Sequence, residues 1–245
     1  MNVVVLGATR GMGRAVARQL ARRGDRLFLL GRDQDQLARS AADLEVRGAR
    51  GRVAYAPCDL ADPESFGAVL EAADTELGGF DTFVLTAASF GTQDALEADH
   101  DVARRLLTVN LANTISLCEQ VRERLMSRGG GTLCVFSSVA GDRGRKPVGI
   151  YGASKAGLSH YLEALDHKYR AAGLVTITVK PGFVRTSMTQ GLPEPPFAGE
   201  PEEVAKIVVK GIDAGTPVVY APHIWGVVMS AIKLLPRWLM RRVDF

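Results

Sequence analysis

An apolar run at 3–6 breaks into Gly7-Ala8-Thr9-Arg10-Gly11-Met12-Gly13, and a helical pattern follows at once. This turn constrains the fold more than any other feature of the chain. Glycines there let the backbone reverse tightly and approach a bound group closely. The helix that follows offers its unpaired N–H groups and the positive end of its dipole to an anion. A glycine-rich string alone says little. A strand before it and a helix after it make it a pyrophosphate-binding turn.

The rest of the chain repeats the same alternation. Short apolar runs at 27–30, 53–56, 83–85, 133–136, 175–179 and 218–220 read as strands. Helical patterns cover 13–23, 33–47, 62–77, 101–127, 151–172 and 201–214. Asp33 is expected to cap the second helix, and Asp62 the third, with Pro63 at its first position. Continuous apolar strands separated by helices imply a parallel sheet covered on both faces. The expected fold is therefore a single α/β domain over 1–245, a Rossmann-type doubly wound parallel sheet with helices on both faces.

Composition fits and narrows the function. At 245 residues, 47% hydrophobic and 23% charged, the chain can bury one large core. A net charge of +3 with no basic run argues against a nucleic-acid partner. Cys58, Cys118 and Cys134 are far apart in apolar surroundings and read as reduced core residues, with no metal site. No secretory leader and no apolar run of spanning length is visible, which points to the cytoplasm.

Tyr151 and Lys155 open a helical stretch four residues apart, so phenol and ammonium share one face. A neighbouring ammonium is expected to draw the phenol toward a usable acid/base range. Ser138, thirteen residues upstream, stands at the end of a strand, where ligands of such sheets bind. Ser137 is the alternative; alternation along the strand allows only one of the two to face the cleft.

The turn Gly-x-x-x-Gly-x-Gly, Ser138 and Tyr151-x-x-x-Lys155, in this order over nearly the whole chain, resemble the short-chain dehydrogenase/reductase family. The resemblance implies a nicotinamide-dependent oxidoreductase in which Ser138 orients a carbonyl oxygen and Tyr151 exchanges a proton with it. It makes Asn110 the fourth catalytic residue, which holds a water in a relay to Lys155. It assigns cofactor contacts to Gly7, Thr9, Arg10, Gly11, Met12, Gly13, Asp59, Leu60, Ala87, Tyr151, Lys155, Pro181, Gly182, Val184 and Thr186. It also implies a homodimer or homotetramer, paired through the helices at 101–127 and 151–172; Leu117, Val121 and Leu158 are candidates for that face.

Two departures stand out. Leu6 occupies the place of a usual Thr, and Leu85-Thr86-Ala87-Ala88 replaces the usual Asn-Asn-Ala-Gly. The second departure loses amides beside the cofactor and suggests an unusual branch. After the second strand, Gly31 and Arg32 stand where an NAD enzyme carries an acidic residue. With Arg10 in the glycine turn, Arg32 could clamp a 2′-phosphate, so NADP(H) is expected over NAD(H).

The extension 216–245 carries both tryptophans, Trp225 and Trp238, and the cations Lys233, Arg237, Arg241 and Arg242. Its apolar run is too short to span a bilayer but suits either an interfacial helix on an anionic membrane or a helix packed over the substrate cleft or against a second subunit. The tail and the altered turn after the fourth strand resemble the branch that contains the reductase subunit of decaprenylphosphoryl-ribose 2-epimerase. That resemblance implies an apolar or lipid-linked keto substrate such as a polyprenyl-phosphate 2-keto sugar. The loop 141–146, with Arg143, Arg145 and Lys146, could meet its phosphate. Two alternatives stand beside this reading: reduction of a soluble ketone or acyl intermediate, and a non-catalytic NADP-binding sensor. A sensor needs the glycine turn but not the proton donor.

Overall fold

The computed structural model describes residues 1–242. Its elements run β1 (Asn2–Leu6), α1 (Gly11–Arg22), β2 (Arg26–Gly31), α2 (Gln34–Val46), β3 (Ala54–Pro57), α3 (Phe66–Leu77), β4 (Thr82–Leu85), α4 (Gln93–Ala98), α5 (His100–Leu107) and α6 (Thr114–Ser127). There follow β5 (Gly131–Phe136), α7 (Gly149–Tyr169), β6 (Leu174–Pro181), α8 (Pro201–Ala214), β7 (Val218–Ala221), α9 (Ile224–Leu234) and α10 (Arg237–Met240). Seven parallel strands form one sheet in the order β3-β2-β1-β4-β5-β6-β7. The order reverses between β1 and β4, and a crevice opens there at the carboxyl edge.

Each strand feeds two cores because successive side chains point to opposite faces. Val3 and Val5 pack with Val16 and Leu20 of α1, Leu37 of α2 and Val208 of α8. Val4 and Leu6 pack with Leu70 of α3, Leu117 and Val121 of α6 and Leu158 of α7. The expectation that Leu117, Val121 and Leu158 serve a subunit interface is therefore wrong. All three are fully buried within the chain, on the sides of α6 and α7 that cover the sheet. The departure at Leu6 follows from this burial, since its side chain belongs to the second core.

The predicted helix at 101–127 is divided. α5 passes into a π-helical turn, Thr108–Asn113, before α6 begins. Such turns widen a helix locally and re-aim its side chains. Asp62 makes no side-chain cap; a short 3₁₀ turn at Pro63–Ser65 precedes α3. Asp33 does cap α2, accepting from Gln36 N. α4 was not foreseen. No described helix is long and apolar enough to cross a membrane.

Candidate active site

The glycine turn lies at the β1 edge of the crevice. A Cβ at Gly13 would sit 2.2 Å from the Gly7 carbonyl oxygen and 2.3 Å from Thr86 Oγ1. Only glycine lets α1 start this close to the turn and to the end of β4. Thr86 explains the altered sequence after β4: its amide and hydroxyl both donate to the Leu6 carbonyl, at 2.9 and 3.0 Å. It locks β4 onto the turn with one side chain. Ala87 N lies beside Gly7. α1 has no side-chain cap, so its first N–H groups face the crevice unshielded. A glycine cradle against an uncapped helix start at the switch point fits the pyrophosphate of a dinucleotide. Thr9 and Met12 lie within the turn and are half-buried.

Arg10 and Arg32 are both exposed at the adjacent edge, where Leu6 and Leu30 stand side by side. Arg10 Nε donates to Gln36 Oε1 at 2.9 Å, and Gln36 Nε2 donates to Asp33 Oδ2 at 2.6 Å. Asp33, the acidic residue nearest that edge, is thus committed to α2. Its hydrogen bonds to Gln36 hold its carboxyl below the ordinary value.

The π-helical turn organises two crevice loops. Asn110 is buried, its Oδ1 accepting from Ser89 N at 2.7 Å and its Nδ2 donating to Ser89 O at 2.8 Å. Asn113 Nδ2 donates to Leu60 O at 2.7 Å, beside Asp59, whose Oδ1 accepts from Ala61 N. The side chain of Asn110 is therefore occupied in clamping the loop after β4. Ser89, 21 residues away in the chain, is a partner that no spacing or motif points to.

Ser138 and Ser137 point in opposite directions. Ser137 Oγ donates to Lys155 O at 2.9 Å and pairs with Ser159 Oγ at 2.7 Å, inside the fold. Ser138 Oγ accepts from Ala140 N at 3.1 Å and stands on the side of Tyr151, whose ionised form it favours. The structure thereby brings together the predicted pair and resolves the choice in favour of Ser138. Phe90 meets the Tyr151 ring edge-on at 5.1 Å, and Leu96 of α4 and Leu106 of α5 complete an apolar wall. The wall is not visible in the sequence because Phe90, Leu96 and Leu106 come from three segments that only the fold brings against Tyr151.

Burial pushes the Tyr151 phenol up to about 12, opposed by Ser138. The expected lowering by Lys155 is not what this geometry gives. Lys155 Nζ donates to Phe136 O at 2.9 Å and lies 5.9 Å from the Tyr151 ring centre. Desolvation therefore outweighs the distant charge, and it also pulls Lys155 down to about 8. A buried phenol that keeps its proton is suited to donate it to a developing alkoxide.

The segment after β6 closes the crevice. Val184 is buried and its carbonyl accepts from Thr189 Oγ1 at 2.6 Å; Thr186 N donates back to that hydroxyl at 3.1 Å. Pro181 ends β6, and a Cβ at Gly182 would lie 2.0 Å from Trp225 Nε1. The indole of α9 thus rests directly on the Pro-Gly segment and donates to Phe197 O at 3.1 Å. Trp225 and Met229 pack with Val139, the residue after Ser138. Asp142 links the same parts: Lys180 Nζ binds it at 2.6 Å and Tyr220 Oη donates to it at 2.7 Å. The extension from 216 therefore packs near the cleft; its last three residues lie outside the described ones.

With this geometry the chain is similar to proteins of one family. Residues 1–196 match the model for short chain dehydrogenase. An uncharacterized oxidoreductase of Mycobacterium tuberculosis is 33% identical over 241 residues, spanning 98% of this chain and 96% of that protein. Carbonyl reductase family member 4 of Xenopus tropicalis is 30% identical over 84% of this chain and 88% of its own length. Among solved structures, an actinorhodin polyketide ketoreductase with NADPH superposes at a TM-score of 0.80, with 23% identity, covering 89% of this chain and 94% of that one. The glycine turn, the sheet order and the matched 196 residues all lead to one statement: the chain belongs to the short-chain dehydrogenase family of nicotinamide-dependent oxidoreductases.

Proposed function

We propose that the protein is an NADP(H)-dependent carbonyl reductase acting on an apolar or lipid-linked keto substrate, with a polyprenyl-phosphate 2-keto sugar as the leading candidate. The observation that carries the reductase reading is the placement of Ser138 beside buried Tyr151 and Lys155 at the carboxyl edge of the sheet, with Ser137 turned into the fold. A non-catalytic sensor has no use for a proton donor held in this way. Gly7, Gly11, Gly13 and the start of α1 would hold the pyrophosphate, and Arg10 with Arg32 the 2′-phosphate. Thr9, Met12, Asp59, Leu60, Ala87, Pro181, Gly182, Val184 and Thr186 line the remainder. The hydrogen bonds of Asp33 to Gln36 support NADP(H), because they turn its carboxylate to the start of α2 and away from the role of holding ribose hydroxyls.

When bound, the nicotinamide supplies the hydride to the carbonyl carbon. Ser138 donates to the substrate oxygen and fixes it beside Tyr151. Tyr151 gives its proton to that oxygen as the negative charge develops. Lys155, cationic below about 8, stabilises the phenolate left behind and would hold the ribose hydroxyls of a bound cofactor. Asn110 holds the loop of Ser89 in place through both atoms of its amide, which keeps the crevice wall after β4 in position. Phe90 and Leu96 exclude water from the reacting oxygen.

The exposed side of the tail supports a lipid partner. Val227, Leu234 and Trp238 are 69%, 85% and 58% exposed, and Lys233 and Arg242 flank them. Such a face suits an anionic membrane surface. The protein is further proposed to form a homodimer or homotetramer, through faces other than that of Leu117, Val121 and Leu158. NADPH consumption over a panel of soluble ketones and phospho-polyprenyl 2-keto sugars tests the main reading. Turnover that requires Tyr151 and favours apolar ketones is expected; a purified protein that binds NADPH but reduces no ketone class would be a sensor.

A further inference from the structure

Asp142 carries a charge held out of water that the reaction steps above do not use. Its side chain is 3% exposed, and that of Lys180 beside it is 14% exposed. A carboxylate so placed is costly unless its oxygens are paired. Both are: Lys180 Nζ donates to Oδ1 at 2.6 Å, and Tyr220 Oη donates to Oδ2 at 2.7 Å. Lys180 Nζ also lies 5.7 Å from the centre of the Tyr220 ring, and the two residues stand side by side where β6 pairs with β7. Burial, with the bond to Asp142 and its charge, pushes the Tyr220 phenol up, so it stays a donor. The same carboxylate favours the charged form of Arg145, which burial disfavours.

The three side chains come from three segments that meet at the carboxyl edge of the sheet. Asp142 ends the 3₁₀ turn Val139–Gly141, which opens at Ser138, and its N–H donates to Val139 O at 3.2 Å. Lys180 is the residue before Pro181-Gly182, and Tyr220 lies in β7, from which the tail departs. The 3₁₀ turn rests backbone on backbone against α7. A Cβ at Gly141 would meet the Lys155 carbonyl carbon at 2.6 Å, and one at Gly152 would meet the Ala140 carbonyl oxygen at 2.7 Å. Glycines permit this approach, but they bring no side chain to stop the turn from sliding along α7. Val139 packs on Trp225 and Met229, and such apolar contacts have no direction. The bonds of Asp142 do have direction, and they reach across to β6 and β7. Stability alone does not account for them, since an apolar group of similar shape often serves a buried position as well as an ion pair.

We infer that Asp142 is a positioning residue: through Lys180 and Tyr220 it locks the segment that carries Ser138 to the segment that begins at Pro181, and so fixes the carbonyl-orienting serine against the place of the nicotinamide. This rests on the reductase reading, in which Ser138 orients the carbonyl oxygen and residues from Pro181 to Thr186 hold the cofactor. A misplacement of about 1 Å between those two segments costs on the order of 10²-fold in rate. Asp142 takes no part in the chemistry itself. Both its oxygens are occupied, and it acts only through the residues it holds.

The test uses the full chain as wild type, Asp142→Asn, the double variant D142N/K180M and Asp74→Asn. Asp74 is the control: its side chain is 8% exposed and paired with Arg124 and Arg128, near the end of α3 that leads into β4, at the amino edge of the sheet. Circular dichroism and melting temperature set a working temperature at which every variant is folded. There the fluorescence lifetime of bound NADPH, or of NADH where the wild type binds it more tightly, reads how firmly the nicotinamide ring is held. Steady-state kinetics over the ketone panel reads the reaction. Asp142→Asn should bind the cofactor within about threefold of wild type, but with the lifetime shortened toward that of the free cofactor. Its kcat should fall by about 10- to 100-fold, with KM within about threefold. The double variant should fall no further than Asp142→Asn, because the pair acts as one unit. Asp74→Asn should melt earlier yet keep the wild-type lifetime and kcat. A wild-type lifetime or kcat in folded Asp142→Asn, additive losses in the double variant, or the same losses in Asp74→Asn would overturn the inference. If Asp142→Asn does not fold, Tyr220→Phe, which removes one donor and no charge, should shorten the lifetime; an unchanged lifetime there overturns it. The lifetime needs no turnover, so if the wild type reduces no ketone the reductase reading fails and the lifetime alone decides the clamp. If the wild type reduces ketones and Asp142→Asn does so equally well, the reading stands and the clamp fails.

Discussion

Lys155 is 2% exposed and reaches the carbonyl of Phe136, whereas Arg237 and Arg241, across the loop that joins Ser138 to Tyr151, stand open to water. One region holds a single charge in a desolvated pocket; the other gathers several charges on a wet surface. The pocket controls charge by burial, which salt hardly reaches. The surface controls it by number, and salt screens it. The first arrangement suits proton transfer at one atom, and the second suits attraction to an anionic membrane. Removing single groups from each region should therefore give effects of different size and different salt dependence.

The largest effect should come from Tyr151. In Tyr151→Phe the apolar wall of Phe90 and Leu96 keeps its packing and only the proton donor is lost. Turnover should fall by about 10²- to 10⁴-fold, with NADPH affinity within about twofold of wild type. Retained reduction would remove Tyr151 from the chemistry and break the contrast with the tail.

Next in size is the anchoring of the tail. Trp225 is 8% exposed against Gly182, while Trp238 is 58% exposed. Trp225→Ala should cost about 3–5 kcal/mol, because the indole fills space that no neighbour can take. Trp238→Ala should change stability by no more than about 0.5 kcal/mol but should weaken vesicle binding. Denaturant titration of both variants reads the difference. Equal stability losses would mean that the outer face of the tail is also a packed face, and the membrane proposal would lose its support.

These two tryptophans also mark how far sequence reasoning reached. The parallel sheet, the glycine turn and the pairing of Ser138 with Tyr151 were legible because strand periodicity and fixed spacings carry them. The choice between Ser137 and Ser138 needed a direction as well as a spacing, and only the contacts with Lys155 and Ser159 supply it. Leu117, Val121 and Leu158 were misplaced for a related reason: an apolar stripe shows that a helix has a buried face but not what buries it. Thr86, Phe90, Asp142 and the bond from Asn110 to Ser89 were invisible, since each joins segments far apart in the chain. The net shift of Tyr151 is opposite to the one expected from Lys155. The four-residue spacing brings the two onto one helical face, but the ammonium bonds Phe136 and desolvation dominates.

A smaller effect is expected at the cofactor edge. Arg32 is exposed and Arg10 is held by Gln36, so Arg32 is the cation better placed to move onto a 2′-phosphate. Arg32→Ala should weaken NADPH binding by about 1–3 kcal/mol and leave NADH binding unchanged. The loss should shrink with rising salt, as for the tail cations. A wild-type kcat/KM that favours NADH would overturn the cofactor preference altogether.

The smallest effect, and the one that most sharpens the contrast between buried and exposed charge, is the pH dependence of stability at Lys155. Its ammonium titrates near 8 in the folded chain and near 10.5 when unfolded. Below about 8 both states hold the proton, and the fold bears the whole cost of the buried charge. Between about 8 and 10.5 the folded state has released the proton while the unfolded state keeps it, so this group makes stability rise with pH. Lys155→Met lacks that rise. It should be stabilised relative to wild type near pH 7, by a difference on the order of 1–3 kcal/mol less the cost of leaving the Phe136 carbonyl unpaired. The advantage should narrow steadily toward pH 10. Tyr151, raised to about 12, begins to act in the opposite direction only above about 10, so it does not disturb this window. The same protonation should make reduction fall above about pH 8 in the wild type, when the cation that stabilises the phenolate is lost. Melting temperatures of both proteins from pH 7 to 10, at low and high salt, provide the measurement. Parallel curves would show that Lys155 keeps its charge throughout, through an interaction stronger than its bond to Phe136, and its charge would then not be controlled by burial.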